Sequence, residues 1–130
     1  MKACLILALA LAAQPVTVGT PVVIDATLSG QPIRPPSGDL RVTITQVELP
    51  AGGKLAAHKH PYPRYALVTS GRLKVTKLVT GTVTELKAGE LAIDSVDQWH
   101  EAVVVGSEPV RLMVIDQAPP GVANTVRRDP

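Results

Sequence analysis

The three histidines of this 130-residue chain, His58, His60 and His100, are the side chains best suited to do chemistry together. Imidazole is the commonest side-chain metal ligand, and two histidines one residue apart in a strand project from the same face. His58 and His60 lie in LAAHKHPYPRYALVTSG, residues 55–71, and His100 lies in GELAIDSVDQWHEAVVV, residues 89–105. The chain has no phenylalanine, and its other aromatic residues, Tyr62, Tyr65 and Trp99, all fall within a few positions of these histidines. Rare side chains concentrated in two short windows predict a pocket. Tyr62 and Tyr65 are placed either to donate hydroxyl hydrogen bonds to a ligand or to cap the pocket mouth. Gln98 shares the strand parity of His100 and is expected to point into the same space, whereas Trp99 should face the opposite side as packing or interface. Glu90 follows Gly89 at a turn and reads as solvent-exposed. Each histidine alone also reads as an ordinary strand residue, so the metal inference rests on the set.

The elements that must position these residues are short strands. The runs VVIDATL, RVTITQVEL, RYALVTS, RLKVTKLV, GTVTELK, ELAID, QWHEAVVV and PVRLMVID alternate in polarity and are bounded by Gly, Pro, Ser or Asp. Thr69-Ser70-Gly71 and Val79-Thr80-Gly81-Thr82 look like hairpin turns, which together predict a meander over residues 64–87. Nothing beyond the amino terminus sustains a helical period. Many short, evenly spaced strands predict an all-β sandwich or a small single-domain jelly-roll β-barrel. With so few rings, Val, Leu, Ile and Ala must fill the core.

Length and composition narrow the function classes. One domain is the expectation for 130 residues, of which 45% are hydrophobic and 18% charged. A net charge of +2, without aromatics interleaved among basic residues, makes nucleic acid an unexpected partner. The start, MKACLILALALAAQP, has one lysine, an uncharged apolar run from Ala3 to Ala13, then Gln14 and Pro15, the layout of a secretory signal. Cleavage is expected after Ala12 or Ala13, giving a secreted or periplasmic protein. The run is too short for a membrane span, so no membrane association is expected after cleavage. Cys4, the single cysteine, would leave with the signal, excluding disulfides and thiolate ligands from the mature chain. The expected organisation is a signal at residues 1–13, an N-terminal strand and loop at 14–39, the barrel at 40–116 and a tail at 117–130. From Pro119 onward the tail is expected to be irregular, either lying on the barrel or reaching a partner subunit.

These residues also carry a family resemblance. Gly52, five residues, His58-x-His60 and the later Gly71 match the first motif of the cupin superfamily, and Gly89 with His100 matches the second. The chain is therefore similar to small secreted bacterial cupins over about residues 40–116. Three departures stand out: Arg64 occupies the place of the motif's Glu, Ser95 and Asp97 replace a proline and a glycine, and Val104 stands where an Asn is found.

The resemblance implies a cupin jelly roll and a divalent transition metal ion (Fe, Cu, Zn, Mn or Ni) held by His58, His60 and His100 without the usual carboxylate. A guanidinium cannot ligate, and about 5 Å from a divalent ion it would be repelled by about 6 to 7 kcal/mol at an effective dielectric of about 20. Arg64 is therefore expected either to meet a substrate anion or to turn away into a salt bridge, with Glu101 or Asp94 as partner. The implied function is a metal site that binds a small anionic or carbonyl-containing molecule. Arg64 would be the anion anchor, and Tyr65 and Gln98 auxiliary donors. Three outcomes stay open: oxidation of that molecule by a dioxygenase-like oxidoreductase, binding without turnover, which the lack of a recognisable general base favours, or a structural partner protein whose site is vestigial. A homodimer is expected, and metal should be lost as pH falls toward the ordinary histidine pKa of about 6.5.

Overall fold

In the computed structural model of the chain, which describes residues 16–128, nine strands form two antiparallel sheets and no helix occurs among the described residues. The strands are β1 (Arg41–Leu49), β2 (Lys54–Lys59), β3 (Arg64–Ser70), β4 (Arg72–Lys77), β5 (Val83–Lys87), β6 (Leu91–Ile93), β7 (His100–Val104), β8 (Val110–Ala118) and β9 (Val126–Arg127). One sheet has the order β1-β8-β3-β6 and the other β5-β4-β7-β2-β9. They are not closed into one continuous barrel, and the arrangement is consistent with a jelly roll. The proposed signal at residues 1–13 lies outside the described residues.

Polarity alternation explains how the sheets face each other. On β8, Val110, Leu112 and Val114 are buried while Arg111 is exposed, and on β4 Leu73 and Val75 are buried while Arg72 and Lys74 are exposed. The inward residues of both sheets, including Val68, Leu73, Val75, Leu86, Val104 and Leu112, make one aliphatic core. Register stacks them in layers. Arg64 pairs with Asp116, Ala66 with Val114 and Val68 with Leu112 on one sheet. On the other, His58 pairs with His100, Leu55 with Ala102 and Leu73 with Val104. Polar side chains therefore occupy one end of the intersheet space and aliphatic ones the rest.

Three expectations are corrected. Residues 22–28 form no strand and contribute only a single bridge, Ala26 with Pro32, because the extended Val22 and Val23 find no partner and remain exposed. The turn at Thr69-Ser70-Gly71 is not a hairpin, since β3 and β4 belong to different sheets. The chain crosses between sheets there, with Gly71 at φ 77°, and a Cβ at that position would collide with the Pro109 carbonyl. Only the second turn joins a hairpin, β4 to β5. The tail at 117–130 is not wholly irregular: β9 pairs with β2, His58 opposite Arg127 and Lys59 opposite Val126.

Candidate metal centre

The three histidines meet. His58 sits near the end of β2 after a register shift, His100 opens β7 directly opposite it, and His60 follows β2 in a parallel bridge to Val96. One ring nitrogen from each lies within 4.8 Å of the others. His60 and His100 are buried, with 1% and 5% of their surface exposed.

Hydrogen bonding shows which nitrogens are free. Nδ1 of His58 lies 2.7 Å from the Ala56 carbonyl, Nδ1 of His60 2.6 Å from the Asn124 carbonyl, and Nδ1 of His100 3.0 Å from the Gln98 carbonyl. A carbonyl can only accept, so each Nδ1 carries the proton and each Nε2 presents a lone pair. This is the tautomer in which a second partner orients a metal-binding imidazole. Burial lowers the pKa of all three rings, that of His60 to about 3 with help from the Arg64 charge, and keeps them in the neutral form a metal requires.

A carboxylate absent from the expected site completes the picture. Asp94 follows β6, its side chain 13% exposed, with Oδ2 3.4 Å from His60 Nε2. Desolvation pushes its pKa up to about 6, against the opposing pull of Arg64. A lone pair on Nε2 and an ionised carboxylate oxygen face each other unfavourably unless a cation or a proton lies between them. The donor set therefore fits a divalent ion. Bonds of about 2.0 to 2.1 Å span at most about 4.2 Å between two nitrogens, so the widest pair must close by at least about 0.6 Å to share one.

Arg64 faces the same space, but its fork is engaged. Nε and Nη2 bind Asp116 Oδ1 and Oδ2 at 2.7 and 2.8 Å, and Nη2 also donates to the Thr125 hydroxyl at 3.1 Å. Neither Glu101 nor Asp94 is the salt-bridge partner. Nη1 is left 3.4 Å from His60 Nε2. Burial works to raise the Asp116 pKa, but hydrogen bonds from Arg64 and Asn124 and the guanidinium charge hold it below the usual range. Asp116 thus compensates the positive charge that would otherwise oppose a metal.

The two auxiliary donors expected from sequence do not reach the cavity. Tyr65 neighbours the inward Arg64 and so lies on the outer face of β3, opposite Ile115, where its hydroxyl donates to Gln117 Oε1 at 3.2 Å. Gln98 acts through its backbone carbonyl on His100. Tyr62 is tied by its backbone to Asn124, and Trp99 packs under Lys59 and Arg128 on the outside. Glu90 is only partly exposed, and its carboxylate accepts from the Lys87 N–H.

Sequence reasoning gave Asp94 only as a possible partner of Arg64 and missed Asp116, Asn124 and Thr125. Strand parity held the first two: Asp94 shares a face with Ala92, and Asp116 with Leu112 and Val114. Nothing local marked Asn124. It is 7% exposed, and its side chain donates to Asp116 Oδ1 at 2.7 Å and accepts from the Tyr62 N–H at 2.9 Å. Asp97, at the second motif's glycine position, retains a left-handed φ of 57° and pairs with Lys59 at 2.6 Å. The substitution thus keeps the turn that delivers His100.

The space beside the imidazoles is a cavity of about 440 Å³, lined by His58, His100, Arg64, Asp94, Thr125, Arg127 and Arg128 around the imidazole end, by Lys54 at the start of β2 and by aliphatic side chains of both sheets.

Comparison with known proteins agrees with this architecture. No curated relative matches the chain by sequence. Among solved structures, an uncharacterized conserved protein with a double-stranded beta-helix domain from Klebsiella pneumoniae is 29% identical, with 75% of this chain and 91% of that one covered and a TM-score of 0.55. An oxalate oxidase is 23% identical over 66% of this chain and 45% of its own, with a TM-score of 0.56. The oxalate decarboxylase of Lactobacillus farciminis is 19% identical over 66% of this chain and 26% of its own, with a TM-score of 0.57. This chain thus spans less than half the length of either oxalate enzyme, and the likeness to them is one of fold. The Cupin domain family model matches residues 45–116, more than half of the chain, over the segment that carries all three histidines. The chain belongs to the cupin superfamily.

Proposed function

We propose that this cupin is a secreted, metal-dependent protein that binds and oxidises a small anionic or carbonyl-containing molecule, using a jelly-roll barrel as the vessel. The observation that carries the reading is the common tautomer of three clustered histidines, every Nδ1 spent on a backbone carbonyl, every Nε2 left with its lone pair, and one nitrogen of each ring within 4.8 Å of the others. His58, His60 and His100 would hold a divalent transition metal ion, which supplies Lewis acidity and, if redox-active, a place for oxygen to meet the substrate.

The chain's own residues divide the remaining work. Asp94, a buried carboxylate that lines the cavity beside His60, is placed to take a proton from a bound molecule and to return it. Once His60 Nε2 is committed to a cation, Arg64 Nη1 loses that acceptor and becomes the one nitrogen of the fork left for an anionic oxygen. The aliphatic walls exclude water around both. Binding without turnover drew its support from the lack of a general base, and Asp94 removes that support.

Elemental analysis of the purified mature protein, followed by oxygen uptake with a panel of carboxylates and ketones, tests the reading. It expects one ion per chain, lost in His58→Ala and His60→Ala, and oxygen uptake that falls at least tenfold in Asp94→Asn. Metal without oxygen uptake would make the protein a binding module, and no metal in any preparation would leave the site vestigial. N-terminal sequencing of the exported protein, expected to begin at Ala13 or Gln14, tests secretion.

The proposal includes self-association. The outer face of the first sheet carries a cross-strand row of Ile44, Ile115 and Tyr65 and a second of Met113, Leu67 and Leu91. Ile44 is 64% exposed on β1, whose other edge pairs with no strand among the described residues. A second copy covers such a face and edge together. Sedimentation of the Ile44→Glu variant as a monomer, against a dimeric parent, is the expected outcome.

A further inference from the structure

We infer that the molecule taken by this site is a monocarboxylate or ketone with an unbranched aliphatic body, and not a compact polar acid such as oxalate. The inference rests on the reading that the imidazole end binds an anionic or carbonyl head, and it concerns what lies beyond that head.

Layering decides the matter. In the layer directly below the imidazoles the inward residues include Ala66 on one sheet and Ala102 on the other. Two alanines on opposing strands leave room that larger side chains would close, and both line the cavity. The next layer presents the aliphatic side chains of Val68, Leu73, Leu86 and Leu112. From His100 to Val104 along β7 is about 13 Å at about 3.3 Å per residue. Apart from Lys54 at the start of β2, the charged groups of the lining gather at the imidazole end, where Arg127 and Arg128 join Arg64, so a ligand that fills the space has its anionic terminus there.

The lining has a second property. Beyond the imidazoles no tyrosine or tryptophan ring contributes to it, since Tyr65 and Trp99 face outward and Tyr62 lies elsewhere. Recognition there comes from aliphatic contact, without the stacking that flat aromatic ligands exploit. Water is a poor occupant of such walls because it finds too few polar partners. At the roughly 30 Å³ that a water molecule occupies in the liquid, 440 Å³ admits about 15 non-hydrogen atoms. A two-carbon diacid would leave most of that volume unfilled and the aliphatic layers without contact.

Titration calorimetry with straight-chain carboxylates from acetate to decanoate, and with oxalate, tests this on zinc-loaded and metal-free mature protein. Each added methylene is expected to tighten binding about fourfold until the cavity is full, and octanoate should exceed oxalate by at least tenfold. Ala66→Leu should weaken octanoate at least tenfold with zinc content unchanged. Leu73→Ala, which enlarges the far end, should move the optimum to a longer chain. A flat dependence on chain length in both forms of the protein, or oxalate binding as tightly as octanoate, overturns the inference. Zinc content measured on the same samples separates the two claims. Failure to take up zinc counts against the metal reading alone, and the slope on metal-free protein then decides the nature of the ligand.

Discussion

On one side of His60, Asp116 receives a two-pronged guanidinium and an amide, and its pKa is held down; on the other, Asp94 is equally secluded but receives no comparable donor, and its pKa rises to about 6. Both carboxylates lie near Arg64 and His60, but only Asp94 lines the cavity. The first pair is electrically closed, and its place is to let an arginine sit beside three imidazoles. The second is open, a buried negative charge that the protein alone leaves uncompensated. Buried groups held at a cost in folding free energy concentrate at working sites, and the contrast assigns structure to Asp116 and chemistry to Asp94.

Breaking the closed pair should have the largest effect. Asp116→Ala leaves the Arg64 guanidinium buried without its partner, with an expected loss of about 3 to 5 kcal/mol in chemical denaturation. The double variant Arg64→Met, Asp116→Leu should recover most of that loss, because two well-packed apolar groups avoid the desolvation cost.

The tail offers a sharper cut. Asn124→Ala removes the side-chain bonds that fix the backbone carbonyl under His60 Nδ1. The expected costs are about 1 to 3 kcal/mol in stability and about 10- to 100-fold in metal affinity, measured by chelator competition.

Asp94→Asn should act in the opposite direction on the metal-free fold. The folded state holds the Asp94 proton up to about pH 6, whereas an unfolded aspartate releases it near 3.8. Between those values the folded state binds more protons, so stability falls as pH rises and the cost is complete above about pH 6. The variant should therefore be more stable than the parent by on the order of 1 to 2 kcal/mol at pH 8 and equal to it at pH 3.5. His60 runs the other way. Its folded pKa of about 3 lies below the ordinary 6.5, so the unfolded state takes up its proton first and stability is lost as pH falls from 6.5 toward 3. For the same reason, metal should stay bound at pH values below the release point near 6.5 that unperturbed histidines imply.

The smallest effect belongs outside the cavity. Tyr65→Phe removes one cross-strand hydroxyl contact and should change stability by less than about 0.5 kcal/mol, with metal content unaltered.

How much of this was legible in the sequence depended on the range of the cause. The strand runs from Arg41 onward and the histidine trio were readable because alternation is local and the glycine and histidine spacings are rigid. Which sheet each strand joins was not: Thr69-Ser70-Gly71 has hairpin composition, yet only the approach of Pro109, 38 residues later, makes it a crossing. Tyr65 was misplaced by proximity in sequence, although its own parity against Arg64 put it outside. Asp94 and Asp116 sat at inward parity within runs read mainly for their apolar residues. Asn124 reaches the site only through the fold of the tail, and no local pattern announces that.

The central claim is that His58, His60 and His100 present their Nε2 atoms to one cation while their Nδ1 atoms stay protonated on backbone carbonyls. Long-range proton–nitrogen NMR correlation of histidine-labelled, zinc-loaded protein reads each ring separately. The account predicts three rings with a protonated Nδ1 and a metal-shifted Nε2, all three changing together as zinc is added to one equivalent. A His100 ring that keeps its metal-free spectrum at saturation, or that binds through Nδ1, would contradict it.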